Sequence, residues 1–360
     1  MRVKLEDVCE RGSSNIKQSD IIKMSGNYSI YGASGLAGKV NFYHQEQPYV
    51  AVVKDGAGIG RTTLNPAKSS VIGTMQYLIP KKNVLPEYLF YAVSYMHLEK
   101  YYTGATIPHI YFKDYKNEEF NLDNIEKQLE IIDVLGRCKK VIEARKQELV
   151  ELDSLTKARF VEMFGDPRSN PFGFPKSMLK DTCKVVTGNT PPRAAQEYYG
   201  DYVEWIKTDN IVPEMINPTK ATESLSEEGI KVGRTVGKNS ILMACIAGSI
   251  ASIGKVCVTD RTVAFNQQIN AVISKEYNIL FLYVMLQLSK DYLVEEINMS
   301  LKGILSKSKL EEKEFIVPPI DLQEQFAEFV EQVDKSKDSV KKALDEAQLL
   351  FDSLMQQYFG

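Results

Sequence analysis

The stretch LDSLTKARFVEMFG, residues 152–165, decides the fold, because the chain ends on a close variant of it, FDSLMQQYFG, residues 351–360. A phrase that returns after so long an interval indicates an internal repeat. In both copies the apolar residues recur at the three- and four-residue spacing of an amphipathic helix. If whole domains are repeated, further segments should recur in the same order.

Further segments do pair in that order along the chain. The pairs are Leu5–Cys9 with Leu179–Cys183, Val50–Thr62 with Ile241–Val256, Gly73–Pro80 with Phe265–Ile273, Tyr88–Tyr95 with Phe281–Leu288, Phe112–Phe120 with Ser308–Phe315, and Asn124–Ile132 with Leu322–Phe329. Loop insertions explain why the offset between partners grows along the chain. Unrelated α/β pieces of similar composition are the alternative, and the shared order argues against it.

Each half of the repeat ends in a long amphipathic helix. In the second helix apolar residues recur every seven positions in two interleaved rows, which is the pattern of a coiled-coil seam. The first helix carries matching rows and a flanking row, Leu135, Ile142 and Leu149. The predicted interface residues are Val134, Val141, Leu152 and Leu155 in the first helix and Val333, Val340, Leu344, Phe351 and Leu354 in the second.

A single helix of this length is not stable alone in water. We therefore predict that the two helices pair antiparallel; the alternative is that each helix docks on its own globular region. The predicted fold class is α+β, with two globular α/β regions, two long helices in an antiparallel coiled coil, and a pseudo-two-fold internal repeat. The predicted domains are residues 1–117, 118–165, 166–317 and 318–360.

Charge is distributed unevenly between these segments. The formal net charge is −3, but residues 1–117 hold 14 basic against 9 acidic residues, a local excess of +5. The helical segments are acidic, and the second globular region is balanced. Because phosphate binding depends on local patches, this pattern permits nucleic-acid binding without requiring it.

Several kinds of chemistry have no motif here. VKDGAGIG (Val53–Gly60) lacks the Lys-Ser/Thr of a phosphate loop, and its spacing does not fit a dinucleotide site. The Asn/Asp-Pro-Pro-Tyr/Phe tetrapeptide of DNA adenine methyltransferases is absent from the sequence. The three histidines and five scattered cysteines form no metal-binding spacing. We expect a non-catalytic chain with no metal and no cofactor of its own.

The N-terminal sequence has no apolar signal segment, and the most apolar run, Ile241–Val258, contains glycines and a lysine. That run is better explained by two buried strands around a turn than by a membrane helix. We expect a soluble cytoplasmic protein with no membrane partner and with reduced, mostly buried cysteines.

Polar turns with side chains suited to bases and phosphates remain. They are residues 28–40, 104–114, 187–193, 205–211 and 301–309. Arg and Lys suit guanine, Asn and Gln suit adenine, and Ser, Thr and Lys suit phosphate oxygens. An ordinary exposed polar surface would look similar, and His109 fits a base contact and a loop-capping role equally well.

Four motifs stand out along the chain: DSLTKARFVEMFGDP (153–167), LKDTCKVVTGNTPP (179–192), YVEWIKTDNI (202–211) and FIVPPIDLQEQ (315–325). Their order and the duplicated architecture resemble the specificity (S) subunit of type I restriction–modification systems. The resemblance covers essentially the whole chain. Two departures are the start of the first helix, LDNIEKQ, which lacks the Pro-Pro of the second, and SLKGILS in the second region where the first has GATIPHI.

The resemblance implies that each globular region reads one half of a split duplex-DNA site and that the paired helices set the spacing between the halves. It also implies two modification (M) subunits that carry S-adenosylmethionine, and restriction (R) subunits that use ATP and Mg. The candidate DNA-contacting residues are Tyr31, Ser34, Lys54, Arg61, His109 and Lys113, then Arg193, Lys207, Asp209, Asn210, Lys255, Lys302 and Lys307. The rival hypotheses are a stand-alone DNA-modifying enzyme with a degenerate site and a DNA-independent coiled-coil scaffold.

Overall fold

The computed structural model describes residues 1–104, 107–295, 297 and 303–360. Its contacts divide the chain into two compact units: unit 1 is Met1–Gln147 with Lys341–Gly360, and unit 2 is Glu148–Val340. Each unit therefore combines one globular region with half of each long helix. The domain boundaries predicted at residues 117, 165 and 317 separate globular regions from long helices. The division into two units does not test them, so they stay a prediction.

Unit 1 begins with short strands, continues into the first long helix and also contains Lys341–Gly360. Its elements are β1 (Arg2–Lys4), α1 (Leu5–Val8), β2 (Cys9–Ser13), α2 (Gln18–Ile21), β3 (Tyr28–Gly32), β4 (Gly35–Val40), β5 (Tyr49–Val53), β6 (Thr62–Asn65), β7 (Ser70–Val71), β8 (Met75–Pro80), α3 (Pro86–Tyr95), α4 (Phe112–Tyr115), β9 (Glu119–Asn121) and α5 (Ile125–Phe164), which continues into unit 2.

The main sheet of unit 1 has the strand order β2-β8-β5-β6. All five residues of β5 are buried, because both faces of the sheet are covered. Successive side chains of a strand point to opposite faces. Val50 and Val52 accordingly pack in the cluster that contains helix α3, while Ala51 and Val53 pack with the second sheet, β4-β3-β7.

Unit 2 repeats this series with additions. Its elements are β10 (Lys176–Met178), α6 (Leu179–Thr182), β11 (Cys183–Thr187), β12 (Tyr199–Gly200), β13 (Val203–Ile206), β14 (Ser224–Leu225), α7 (Glu227–Val232), β15 (Thr235–Val236), β16 (Ile241–Ala244), β17 (Ile246–Ala247), β18 (Val256–Val258), β19 (Val263–Phe265), β20 (Ile269–Ser274), α8 (Ile279–Leu288), α9 (Lys290–Val294), β21 (Gly303–Ile304), α10 (Lys307–Glu312), β22 (Glu314–Ile316) and α11 (Ile320–Phe359).

The main sheet of unit 2, β11-β20-β16-β18, has the same order of equivalent strands as that of unit 1. Its central strand alternates in the same way: Ile241 and Met243 pack in the cluster that contains helix α8, and Leu242 and Ala244 pack toward the second sheet. The second sheets also share a parallel pair, β3 with β7 and β13 with β19. The predicted internal repeat and fold class are confirmed.

The predicted strands in the apolar run 241–258 are confirmed. Strands β16 and β18 pair antiparallel, with Ile241 opposite Val258. Among the described residues, no helix combines the length and the apolar character needed to cross a membrane. Four of the five cysteines are buried, and Cys138 is half-buried.

A buried glutamine joins each long helix to the globular region of its unit. The Leu85 N–H donates to Gln128 Oε1 at 2.9 Å, just before helix α3. The Asn278 N–H donates to Gln323 Oε1 at 2.9 Å, just before helix α8. Both glutamines are almost completely buried, at 0% and 1% exposure. The two helices therefore start from the same anchor even though only the second follows Pro-Pro.

The two helices pair antiparallel, as each unit shows by itself. In unit 1 the beginning of α5 contributes Ile131 and Leu135 to the cluster that contains Met355 and Phe359 from the end of α11. In unit 2 the end of α5 meets the beginning of α11, and the Phe160 and Phe326 rings are 5.4 Å apart.

The residues predicted for the interface in α11 are buried or half-buried, whereas two of those predicted in α5 are exposed, and the interface assignment itself stays a prediction. In α11, Val333 and Val340 are buried, and Leu344, Phe351 and Leu354 are half-buried. In α5, Leu152 and Val134 are half-buried, but Val141 and Leu155 are 47% and 48% exposed.

The buried row of α5 lies one residue further along. It consists of Leu135, Ile142 and the half-buried Leu149, which the sequence had placed on the flank. Rows three and four residues beyond Ile131 are both apolar, so periodicity alone does not choose between them. Packing in unit 1 makes that choice, since Leu135 lies in the cluster formed by helix α3 and the end of α11.

Candidate nucleic-acid interface

Three loops of unit 1 bring together five predicted contact residues, Tyr31, Ser34, Lys54, Arg61 and His109. The Ile72 N–H donates to Tyr31 O at 2.9 Å, which ties the β3–β4 hairpin to the segment before β8. The Lys54 N–H donates to Thr74 O, and Lys54 O accepts from the Ile110 N–H, each at 2.9 Å. The end of β5 therefore lies between the hairpin and the segment that carries His109.

Ser34 and Asp55 line one cavity with a volume of about 590 Å³. Arg61 follows Gly60, whose positive φ of 80° turns the chain there. The exposed Arg61 side chain reaches the hairpin, where its guanidinium donates to Ala33 O at 3.0 Å. This contact leaves the other guanidinium N–H groups available to a ligand.

Asp55 connects two of the predicted contact residues. Its carboxylate lies 3.0 Å from Lys54 Nζ and accepts a hydrogen bond from His109 Nδ1 at 2.7 Å. The backbone of His109 also bonds Thr103 in both directions at 2.8 Å. This geometry supports the loop-capping role of His109, and a neutral ring would present Nε2 as an acceptor.

Lys113 joins this group through an aromatic side chain. Its Nζ lies 5.4 Å from the centroid of the Tyr111 ring, and the Tyr111 ring stacks on that of His109 at 6.3 Å. A cation that lies over one face of an aromatic ring can still bind an anion on the side away from the ring. Tyr111 itself is half exposed and was not predicted as a contact residue.

In unit 2 the corresponding group forms around Glu223. Arg193 NH1 lies 2.5 Å from Glu223 Oε2, and Lys207 Nζ pairs with Glu223 Oε1. Hydrogen bonds from Arg193 and then from Lys207 hold the pKa of the Glu223 carboxyl below its usual value. The two cations come from chain segments 30 and 16 residues before Glu223, so their shared partner was not visible in the sequence.

Two aromatic rings support these cations. The Arg193 guanidinium carbon lies 4.8 Å from the ring centroids of both Tyr199 and Trp205. Lys207 Nζ lies 5.1 Å from the Trp205 ring. Trp205 is buried at 2% exposure, and its indole N–H donates to Asn189 O at 3.3 Å. Trp205 therefore forms the floor of the group rather than a surface for stacking a base.

The turn that carries Arg193 is fixed by Asn189. Asn189 Nδ2 donates to Val232 O, and Asn189 Oδ1 accepts from the Arg234 N–H, each at 2.8 Å. The Arg234 side chain also donates to Thr187 O. Arg234 is a further exposed cation at this turn, and the sequence reasoning missed it because no local motif marks it.

Asn210 does not fit its predicted contact role. It is 7% exposed, and its side chain accepts from the Lys207 N–H at 3.0 Å and donates to Thr219 Oγ1 and Lys220 O, each at 3.2 Å. These bonds occupy its donors in holding the loop. The neighbouring Asp209 is exposed.

The remaining predicted residues lie apart from this group or outside the described residues. Lys255 lines a cavity of about 290 Å³ with Asp153 and Lys337 of the long helices. Lys307 is exposed at the start of α10 and pairs with Glu311 at 3.5 Å. Lys302 lies outside the described residues.

The part of the chain that the structure describes contains no cluster of three or more His, Cys, Asp or Glu side chains arranged to hold a metal ion. The two groups of cations and aromatic rings can instead contact anionic and planar groups such as phosphates and bases.

The comparison with protein families defines the class. A family model described as "Type I restriction modification DNA specificity domain" matches residues 1–153 and again residues 172–348. Because these matches cover most of the chain, the protein belongs to this family. The resemblance predicted from the sequence motifs is confirmed.

Two curated relatives match parts of the chain. The type I restriction enzyme HindI specificity subunit of Haemophilus influenzae is 33% identical over 123 residues, which are 32% of this chain and 25% of that protein. The MjaIX specificity subunit of Methanocaldococcus jannaschii is 24% identical over 284 residues, 71% of this chain and 63% of that protein. The matched regions thus span less than two thirds of either relative.

Solved structures share the fold over the whole chain. A crystal structure of a type I restriction–modification S subunit from M. genitalium has a TM-score of 0.64 at 15% identity and covers 100% of this chain and 96% of that one. A chain from a study of complex assembly and conformational transition of the type I R-M system has a TM-score of 0.59 at 14% identity and covers 99% and 97%.

Proposed function

We propose that this chain is the non-catalytic DNA-recognition subunit of a type I restriction–modification complex. The observation that carries the proposal is the duplicated fold with two different groups of loop cations. Unit 1 presents Arg61 and Lys113, and unit 2 presents Arg193 and Lys207. Two non-identical readers on one chain would recognise an asymmetric, bipartite duplex site.

The contacts of each group agree with that role. Cations that are supported by rings or backbone, and still exposed on one side, can bind phosphates or base edges without first being ordered. Bidentate contact of an arginine with guanine discriminates against other bases by about 1–3 kcal/mol. Arg61 and Arg193 are the side chains best placed for such contacts.

The proposal includes partners that supply the chemistry. Two M subunits would carry S-adenosylmethionine and transfer the methyl group, and R subunits would use ATP and Mg for translocation and cleavage. The paired helices would dock the M subunits and set the distance between the half-sites. The family of DNA specificity domains to which the chain belongs supports this assignment, and the cell compartment would be the cytoplasm.

The test is methylome sequencing of the host with and without the gene. We expect one bipartite methylated motif to disappear when the gene is deleted and to return with the wild-type copy. A complete methylome that is unchanged by deletion would overturn the proposal.

Matched variants in the same assay locate the readers. Arg61→Ala should relax the sequence of one half-site and Arg193→Ala that of the other. The control is Arg168→Ala, which removes an exposed arginine that pairs with Glu295 at 2.7 Å outside both long helices. This control should leave both half-sequences unchanged. If Arg61→Ala and Arg193→Ala both relaxed the sequence of the same half-site, the assignment of one reader to each unit would be refuted.

A further inference from the structure

Each unit holds two predicted DNA-contacting side chains on a single carboxylate. In unit 1 the carboxylate is Asp55, with Lys54 and His109. In unit 2 it is Glu223, with Arg193 and Lys207. The loops that carry these side chains in unit 1 differ from those in unit 2. The two units therefore have the same arrangement without a shared sequence motif.

The Glu223 arrangement is the more completely built of the two. Each carboxylate oxygen contacts one cation, and both cations also lie over the buried Trp205 ring. The Arg193 side chain remains 55% exposed, while those of Glu223 and Lys207 are 35% and 27% exposed. The cations are therefore ordered and reachable, but their charge is partly neutralised by a neighbour.

This neutralisation has a direct consequence for DNA binding. Non-specific affinity comes from cations that bind phosphates and release counterions, and it weakens with salt in proportion to the number of such contacts. A phosphate that approaches Arg193 or Lys207 must compete with the tethered carboxylate of Glu223. A cognate site adds base contacts to its phosphate contacts, and together these can outweigh the attraction between the cations and the carboxylate. A random sequence offers only phosphates.

We propose that Glu223 is a specificity-determining residue that positions Arg193 and Lys207 and suppresses their use by non-cognate phosphates, with Asp55 acting in the same way on Lys54. The proposal rests on the proposed function, since it concerns how a DNA reader discriminates. Glu223 acts through the cations that it holds, so it is a positioning residue and need not touch DNA.

The test measures binding of the full-length chain to a random-sequence 30-bp duplex by fluorescence anisotropy over a range of salt concentrations. For Glu223→Gln we expect binding about 3- to 10-fold tighter near 0.1 M salt and a salt slope steeper by about one to two units, about one for each cation that is freed. Glu223→Asp keeps the charge and should stay near the wild-type slope. Asp55→Asn should shift in the same direction by less, because it frees only one permanently charged cation.

The matched control is Glu228→Gln. Glu228 pairs with Lys231 at 2.5 Å on α7 of the same unit, and neither residue belongs to the Glu223 group. The control removes the same charge and one ion pair, so it measures the general effect of a less acidic protein. We expect a slope close to that of the wild type.

The outcomes separate the possible roles. A Glu223→Gln slope equal to that of the wild type or of the control would overturn the inference, as would weaker binding with an unchanged slope, which indicates a purely structural role. If Glu223→Gln does not fold, an unchanged slope in Asp55→Asn overturns it instead. If the wild-type chain, alone and with its M subunits, binds no duplex even at low salt, the proposed function fails and this inference fails with it.

Discussion

The two globular regions share a buried frame and differ at the surface. Their main sheets have the same strand order, and equivalent cysteines, Cys9 and Cys183, begin equivalent strands after equivalent helical turns. The second sheet has three strands in unit 1 and five in unit 2. Asp55 holds Lys54 in one region, and Glu223 holds Arg193 and Lys207 in the other. Duplication has thus preserved what packs inside, while the loops that would meet a ligand have diverged.

The aromatic packing at the ends of the two long helices offers the strongest test of this comparison. Phe164 and Phe359 hold equivalent positions, each followed by glycine. The Phe164 ring lies 4.8 Å from that of Phe281, 5.0 Å from Phe160 and 5.7 Å from Phe326, whereas Phe359 has the Tyr88 ring at 5.0 Å. Phe164→Ala should lower the free energy of unfolding of unit 2 by about 3–5 kcal/mol, and Phe359→Ala should lower that of unit 1 by less.

Two cysteines can follow the units separately during urea unfolding. Burial raises the pKa of the Cys9 thiol to about 12 and that of Cys183 to about 11, so thiol labelling of either reports the opening of its own unit. Equal losses in the two phenylalanine variants would contradict the expected difference.

Replacing the two buried glutamines should give a smaller difference between the units in the free energy of unfolding. Gln128 Nε2 donates to Asn83 O at 3.0 Å and to Asp123 O at 2.8 Å, while Gln323 Nε2 donates to Pro318 O at 2.8 Å. Replacing either glutamine with leucine leaves the backbone N–H of a half-buried residue, Leu85 or Asn278, without its partner, and we expect a loss of about 1–3 kcal/mol in the free energy of unfolding. We expect the larger loss for Gln128→Leu. The exposed Gln325→Leu serves as the control, and a larger loss for Gln323→Leu than for Gln128→Leu would refute the ranking.

The smallest effect concerns a polar position in the helix seam. Ile142 and Lys337 both lie fourteen residues after the buried glutamine of their helix, but only Lys337 is charged. Its side chain is 12% exposed and pairs with Asp153, which is 41% exposed. Lys337→Ile should change the free energy of unfolding by no more than about 1 kcal/mol, because Asp153 can return to water and an apolar side chain fills the seam. Thermal unfolding that shows a much larger loss would assign this ion pair a structural role.

The sequence predicted the repeat, the long helices and the apolar faces of the strands, because each depends on periodicity within one segment. In α11 the predicted residues, Val333 and Leu344 among them, are buried or half-buried, and most of the neighbouring positions are polar or charged. In α5 two neighbouring rows are apolar, and the choice of Leu135 and Ile142 over Val134 and Val141 depended on packing within unit 1. The loop cations were found by residue type, but the burial of Asn210 and the clamping role of Glu223 were not.

By itself the sequence determined that this protein is a duplicated α+β chain with two heptad-patterned helices and no recognised catalytic motif. Those conclusions follow from the spacing of residues within single segments, which does not depend on the tertiary structure. Only the tertiary structure decided which helix row is buried and which carboxylate holds which cations. The reason is that Arg193, Lys207 and Glu223 are distant in the chain and meet only when the strands and loops of unit 2 are packed together.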